Sequence, residues 1–207
     1  MKGKFIVFEA IDGSGTTTQA KLLYEYLHNR GDKVKLTKEP SFGAIGYVIE
    51  DFLRGQYMMS DNKKTNDKQL ALLFTADRYD HLYNKFDGII HRLNAGCNII
   101  CTRYIMSSMV YNCHGEEEEK FVRELNKDFP SADLTFFIDC PINICLERLS
   151  KREVKDMYEN KTKLTKVKEK YLNLLKDFSP LFIIDGNKTI KDQHNDIINI
   201  MKLKKFI

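Results

Sequence analysis

Long apolar runs are missing from this 207-residue sequence. No stretch approaches the roughly eighteen apolar residues that a membrane-spanning helix requires, so no membrane span is expected. A secretory signal is missing too: Met1-Lys2-Gly3-Lys4 leads straight into a strand-like segment without an apolar core and cleavage site, which predicts a cytoplasmic protein. A cysteine pattern is missing as well. Cys97, Cys101, Cys113, Cys140 and Cys145 are odd in number, form no Cys-x-x-Cys pair and mostly fall in apolar runs, so reduced core thiols are expected rather than disulfides or zinc ligands. A strong excess of either charge is also missing. The balance of 33 basic and 29 acidic residues leaves +4, too mild for a nucleic-acid binder but compatible with a small anionic substrate. Repeats and linkers are absent, and at this length one domain over residues 1–207 is expected.

What is present is alternation. Short β-branched apolar runs at 4–10, 33–37, 97–101, 134–139 and 181–185 alternate with segments of helical period. That pattern predicts an α/β fold, a five-stranded parallel sheet with helices on both faces. The nearly continuous apolar character of the first, third and fourth runs suits central strands covered on both sides. Residues 16–29 carry Ala20, Leu23 and Leu27 on one stripe and end at Gly31, a natural left-handed cap. A longer helical stretch is predicted over 67–93, with Leu70, Leu73, Phe74, Asp77, Arg78 and His81 on one face.

Between the first strand and first helix lies Ala10-Ile11-Asp12-Gly13-Ser14-Gly15-Thr16-Thr17-Thr18. Strand, glycine loop and helix in that order are the setting of a P-loop, in which Gly13 and Gly15 let successive N–H groups turn inward beside a helix N-terminus and cradle phosphate. Residues Gly13 to Thr18 are therefore the predicted ATP-binding loop, with the Thr17 hydroxyl placed to ligand Mg²⁺ and Asp12 projecting toward the phosphoryl acceptor. The loop departs from the usual pattern twice. Ala10 replaces its first glycine, and Thr16 stands where a lysine normally meets the β- and γ-phosphates.

Four further segments resemble the thymidylate kinase family over nearly the whole chain. Thr37-Lys38-Glu39-Pro40, followed by Phe52-Leu53-Arg54, is similar to the family's Glu-Pro turn and phosphate-binding arginine. Leu72-Leu73-Phe74-Thr75-Ala76-Asp77-Arg78 looks like its Leu-Phe-x-x-x-Arg site. Phe74 and Arg78 stand one helical turn apart, so a ring and a hydrogen-bond donor can address the face and edge of one pyrimidine. Thr102-Arg103-Tyr104-Ile105-Met106-Ser107-Ser108-Met109-Val110-Tyr111 is similar to the family's Asp-Arg-Tyr-x-x-Ser-x-x-x-Tyr, with Thr102 in place of the aspartate. The run from Asp133 through Arg152 to Glu159 resembles its fourth strand, following helix and basic lid, the lid at about 150–163, and Asp185-Gly186-Asn187 falls where the family lines its adenine pocket.

The resemblance implies transfer of the ATP γ-phosphoryl to thymidine monophosphate, with Mg²⁺ as cofactor and a homodimer as the assembly. It implies that Arg54 and Arg103 offset the acceptor phosphate, that Ser107 or Ser108 bonds the base, and that Tyr111 packs under the deoxyribose. Glu39 either contacts substrate or shapes the turn with Pro40. Asp12, Arg103, Arg148 and Arg152 are the predicted catalytic set, the last two supplying the charge that Thr16 lacks. A kinase for another deoxypyrimidine nucleotide, or a catalytically weak or silent nucleotide-binding protein, stays open at this point.

Overall fold

The computed structural model describes residues 2–57, 60–113, 115–151 and 161–207. Its strands are β1 (Phe5–Glu9), β2 (Val34–Lys38), β3 (Asn98–Thr102), β4 (Leu134–Asp139) and β5 (Leu181–Asp185), each within a residue of the apolar run that predicts it. They form one parallel sheet in the order β2-β3-β1-β4-β5. Every residue of β1 is buried, as are the middle of β3 and nearly all of β4, whereas of the edge strands β2 is mostly half-buried and β5 mostly half-buried or exposed. The continuity of each apolar run therefore reports its depth in the sheet.

Alternation along the central strands divides the core. Phe5, Val7, Ile99 and Cys101 face a layer with Leu82, Ile89, Leu93 and Tyr104. Ile6, Phe8, Ile100, Phe136 and Ile138 face the larger layer, where Leu23 and Leu27 of α1 (Thr16–Asn29) meet Tyr171 of α8 (Lys161–Leu174) and Ile197 of α9 (Ile190–Leu203). Each such side chain contributes about 1.5–3 kcal/mol by leaving water. The remaining helices are α2 (Ala44–Leu53), α3 (Lys63–Tyr83), α4 (Ile89–Asn94), α5 (Ile105–Asn112), α6 (Glu116–Asn126) and α7 (Ile142–Ser150). Among the described residues, no helix is long and apolar enough to cross a membrane. All five cysteines are free, four buried and Cys97 half-buried.

The single helix predicted over 67–93 is two. α3 starts earlier, where the Asn62 side chain accepts from the N–H groups of Lys64 and Thr65 at 2.9 and 3.3 Å. It stops at Tyr83 because the Asn84 side chain turns to accept from Phe86 N–H at 2.9 Å, and Gly88 N–H closes on the Asn84 carbonyl at 2.9 Å. A Cβ on Gly88 would lie 2.4 Å from that carbonyl oxygen, so glycine is required for the turn. Apolar periodicity runs on across the break because α4 restarts on the same core layer, through Ile89 and Leu93.

Candidate active site

Because β1 is flanked by β3 and β4, connections leaving its C-terminal end diverge and open a crevice there. A cavity of about 590 Å³ occupies that position, within the range of small-molecule sites.

One wall is the glycine loop. Gly13 and Gly15 have φ of 80° and 100°, and a Cβ on Gly13 would stand 2.7 Å from the Cys145 carbonyl oxygen of α7, so backbone freedom and close packing both demand glycine there. Gly15 is the N-cap of α1, with no side-chain cap and no acidic residue in the first turn, so the helix start turns its amides to the cavity that Thr16, Thr17 and Thr18 line. Ser14 is turned differently from its neighbours. Its N–H and its hydroxyl both go to the Ile11 carbonyl, at 3.3 and 2.8 Å, and its buried side chain fastens the loop from behind instead of facing the cavity.

Arg148, in the last turn of α7, points a guanidinium N–H at the carbonyls of Gly13 and Ser14, 3.1 and 3.3 Å away, and lines the cavity beside Gly15. Positive charge thus stands at the loop despite Thr16. Arg152 lies outside the described residues. Behind the loop, Cys145 approaches Ser14 Oγ at 3.6 Å, and its thiol is drawn below the ordinary thiol range, first by a hydrogen bond with Cys140 and against the effect of burial. Asp185, Gly186 and Asn187 do not line this cavity; Gly186 is packed on Cys140 instead.

The facing wall comes from β3 and α5. Arg103 has φ 68°, left-handed for a residue with a side chain, and its N–H donates to the Phe8 carbonyl at 2.8 Å. Its guanidinium donates to Asp12 Oδ1 at 2.6 Å and lies over the Tyr111 ring at 5.0 Å, while the Tyr111 hydroxyl donates to Asp12 Oδ2 at 3.0 Å. Asp12, Arg103 and Tyr111 are thereby brought together at one point of the cavity.

Arg78 is 1% exposed and more enclosed than a base-reading arginine need be. Nε and Nη2 donate to Glu39 Oε2, Nη2 also to Ser108 Oγ at 2.9 Å, Nη1 to Asn126 Oδ1, and the group stacks on Tyr104 at 5.0 Å. Of its five hydrogens, one on Nη1 is left for a ligand among the described contacts. Glu39 shapes this site from beneath as the counter-ion of Arg78, with His81 Nδ1 3.5 Å away. Ser107 donates to Glu9 Oε2 at 2.6 Å, whereas Ser108 accepts from Arg78 and keeps its own hydrogen. Phe74 lines the cavity half-buried, and Arg54, nearer its mouth, pairs with Glu50 at 2.7 Å.

Three residues escaped the sequence reading. Glu9 is fully buried, with its carboxyl pushed up by burial against the opposing pull of Ser107 and Arg103. Tyr171 is buried and bonded to it at 3.0 Å. Asn112 lines the cavity, 2% exposed, and neither amide atom has a partner among the described residues. A carboxylate ending an otherwise apolar strand was a readable signal for Glu9. Asn112 and Tyr171 carried none.

Metal ligands are sparse. Among the described residues no group of three His, Cys, Asp or Glu is placed to hold a metal ion. Thr17, exposed at the loop, suits an ion such as Mg²⁺, which keeps waters and phosphate oxygens as most of its ligands.

A glycine loop that opens a helix at the end of a central parallel strand, with arginines facing it across one cavity, defines a P-loop phosphotransferase. The thymidylate kinase family model matches residues 8–197. A probable thymidylate kinase from Methanococcus aeolicus is 38% identical over 99% of this chain and 98% of its own length, and a putative thymidylate kinase from Treponema pallidum is 35% identical over 96% and 94%. The solved thymidylate kinase of Candida albicans superimposes with a TM-score of 0.77 at 27% identity, over 99% of this chain and 93% of that one. The chain belongs to the thymidylate kinase family.

Proposed function

We propose that this chain transfers the γ-phosphoryl of ATP to thymidine monophosphate, giving the diphosphate. The carrying observation is Asp12: a residue of the phosphate loop whose two carboxylate oxygens accept from Arg103 and Tyr111 of the opposite wall. Donor and acceptor sites share that one side chain. Phosphoryl transfer needs positioning and charge neutralisation more than covalent chemistry, and such a junction serves both.

In this assignment the amides at the start of α1 hold the donor phosphates, and Arg148 brings positive charge to the loop. Arg103 and Arg54 offset the acceptor phosphate. Phe74 stacks on the pyrimidine, Arg78 and Ser108 each offer one hydrogen to its edge, and Tyr111 packs under the sugar. Ser108 is preferred over Ser107 because the Ser107 hydroxyl is spent on Glu9. Thr17 would hold Mg²⁺, which would supply positive charge to offset that of the phosphates. A single domain and a cytoplasmic location complete the assignment, and most of the basic lid expected over about 150–163 lies outside the described residues. Phe42, Tyr47, Tyr79 and Phe86 are each more than half exposed on or beside α2 and α3, and they support a homodimer through that face.

A coupled assay with ATP, Mg²⁺ and a panel of nucleoside monophosphates tests the assignment. Thymidylate is expected to turn over fastest; folded protein that leaves it untouched overturns the reading. Light scattering after size exclusion reads the dimer.

A further inference from the structure

Helix α5 carries Ser107, Ser108 and Tyr111 into the cavity, yet its N-cap residue, Tyr104, makes no side-chain cap. Uncapped amides at a helix start are costly when buried. Here the cap arrives from a strand 95 residues earlier: Glu9 Oε1 accepts from Tyr104 N–H at 2.8 Å and from Ser107 N–H at 3.2 Å. The first of these bonds matters beyond the helix. It lies immediately after Arg103, whose left-handed backbone is strained for a residue with a side chain and persists only where its surroundings hold it. Arg103 N–H goes to the Phe8 carbonyl and the next N–H goes to Glu9, so two consecutive residues of β1 clasp the turn from both sides.

The other carboxylate oxygen faces a different element. Glu9 Oε2 accepts from Ser107 Oγ at 2.6 Å and from Tyr171 O–H at 3.0 Å, and these two hydroxyls are 2.8 Å apart. Tyr171 comes from α8, the helix that follows residues 152–160 in the chain. All three groups are buried.

We propose that Glu9 is a positioning residue for the phosphoryl acceptor, which caps α5 from β1, holds the Arg103 turn in its strained form and, through Tyr171, ties α8 to the same point. Glu9 touches no substrate. It acts through Arg103 and α5, and the effect of losing it falls on the acceptor and spares the donor, whose amides belong to α1. The inference rests on the phosphotransferase reading of the cavity.

The test compares wild type, Glu9→Gln and Tyr171→Phe. Calorimetry measures thymidylate alone and a non-hydrolysable ATP analogue alone, alongside steady-state kinetics and melting curves. Glu9→Gln keeps the shape and removes the charge of the cap, and is expected to raise Kd and KM for thymidylate about tenfold with affinity for the analogue within about twofold. Tyr171→Phe is expected to move the same quantities in the same direction by about threefold. Unchanged thymidylate binding by folded Glu9→Gln overturns the proposal, as does an equal weakening of both ligands that tracks a fall in Tm. If Glu9→Gln does not fold, Tyr171→Phe decides, and unchanged thymidylate affinity overturns the proposal. Wild type that binds both ligands with variants that do not differ refutes this inference alone. Wild type that binds neither refutes the functional reading and this inference with it.

Discussion

The two walls of the cavity are built from different materials. The donor wall is main chain: two left-handed glycines, the amides at an uncapped helix start and a carbonyl pair that receives Arg148. The acceptor wall is side chain: Glu39, Arg78, Asn126 and Ser108 in one buried network, and Glu9, Ser107 and Tyr171 in another. A main-chain site depends on which residues permit a conformation. A side-chain site depends on which residues satisfy one another. The difference explains how the loop can lack its usual lysine while the wall opposite keeps a complete set of partners.

The sharpest break of that contrast is Arg78→Met. Removing one member of a pair in which both side chains are at most 2% exposed leaves Glu39 buried without its guanidinium partner, and a loss of about 3–5 kcal/mol is expected in urea unfolding. On the donor wall, Gly13→Ala forces a Cβ to 2.7 Å from a carbonyl oxygen at positive φ. A stability loss of about 1–3 kcal/mol with ATP affinity falling more than thymidylate affinity is expected, read by calorimetry. Arg148→Ala removes a charge from the loop and is expected to lower kcat by about one to two orders of magnitude, since a hydrogen bond to a charged group is worth about 1.5–3 kcal/mol. An unchanged kcat would show that Arg148 does not compensate for Thr16. Thr16→Lys probes the same point from the other side. With Arg148 already at the loop, a gain in kcat below about threefold is expected, and a large gain would mean the natural loop is impaired.

The smallest effect concerns pH. Burial raises the Asp77 carboxyl above its ordinary 3.8, partly offset by hydrogen bonds from the Ser41 hydroxyl and N–H. The folded state therefore holds that proton more tightly than the unfolded state. The contribution is complete below the unfolded value and is lost as pH rises through the elevated folded one. Urea unfolding of wild type and Asp77→Asn across that interval is expected to show the wild type losing stability relative to the variant as pH rises.

The same contrast sets how much could be read in advance. The strands were legible to a residue because burial in a parallel sheet writes itself as continuous apolar character, and α1 was legible because its stripe ends at Gly31, whose φ is 88°. The glycine loop was legible because a φ above zero narrows the choice of residue. Side-chain partnerships leave no comparable local trace. Arg78 and Glu39 lie 39 residues apart and Glu9 and Tyr171 162 apart, and nothing near either position announces its partner. The turn at Asn84 was missed because the Asn84 side chain competes with the helix for backbone donors, an effect that apolar periodicity does not register.

The uncapped amides at the start of α1 carry a consequence for how such a loop changes over time. A phosphate read by peptide groups is indifferent to most of the letters above them, so long as the two glycines stay. Thr16 and Ala10 are tolerable spellings of the same shape, and a search pattern that insisted on lysine at that place would pass over this enzyme while its cradle stood intact.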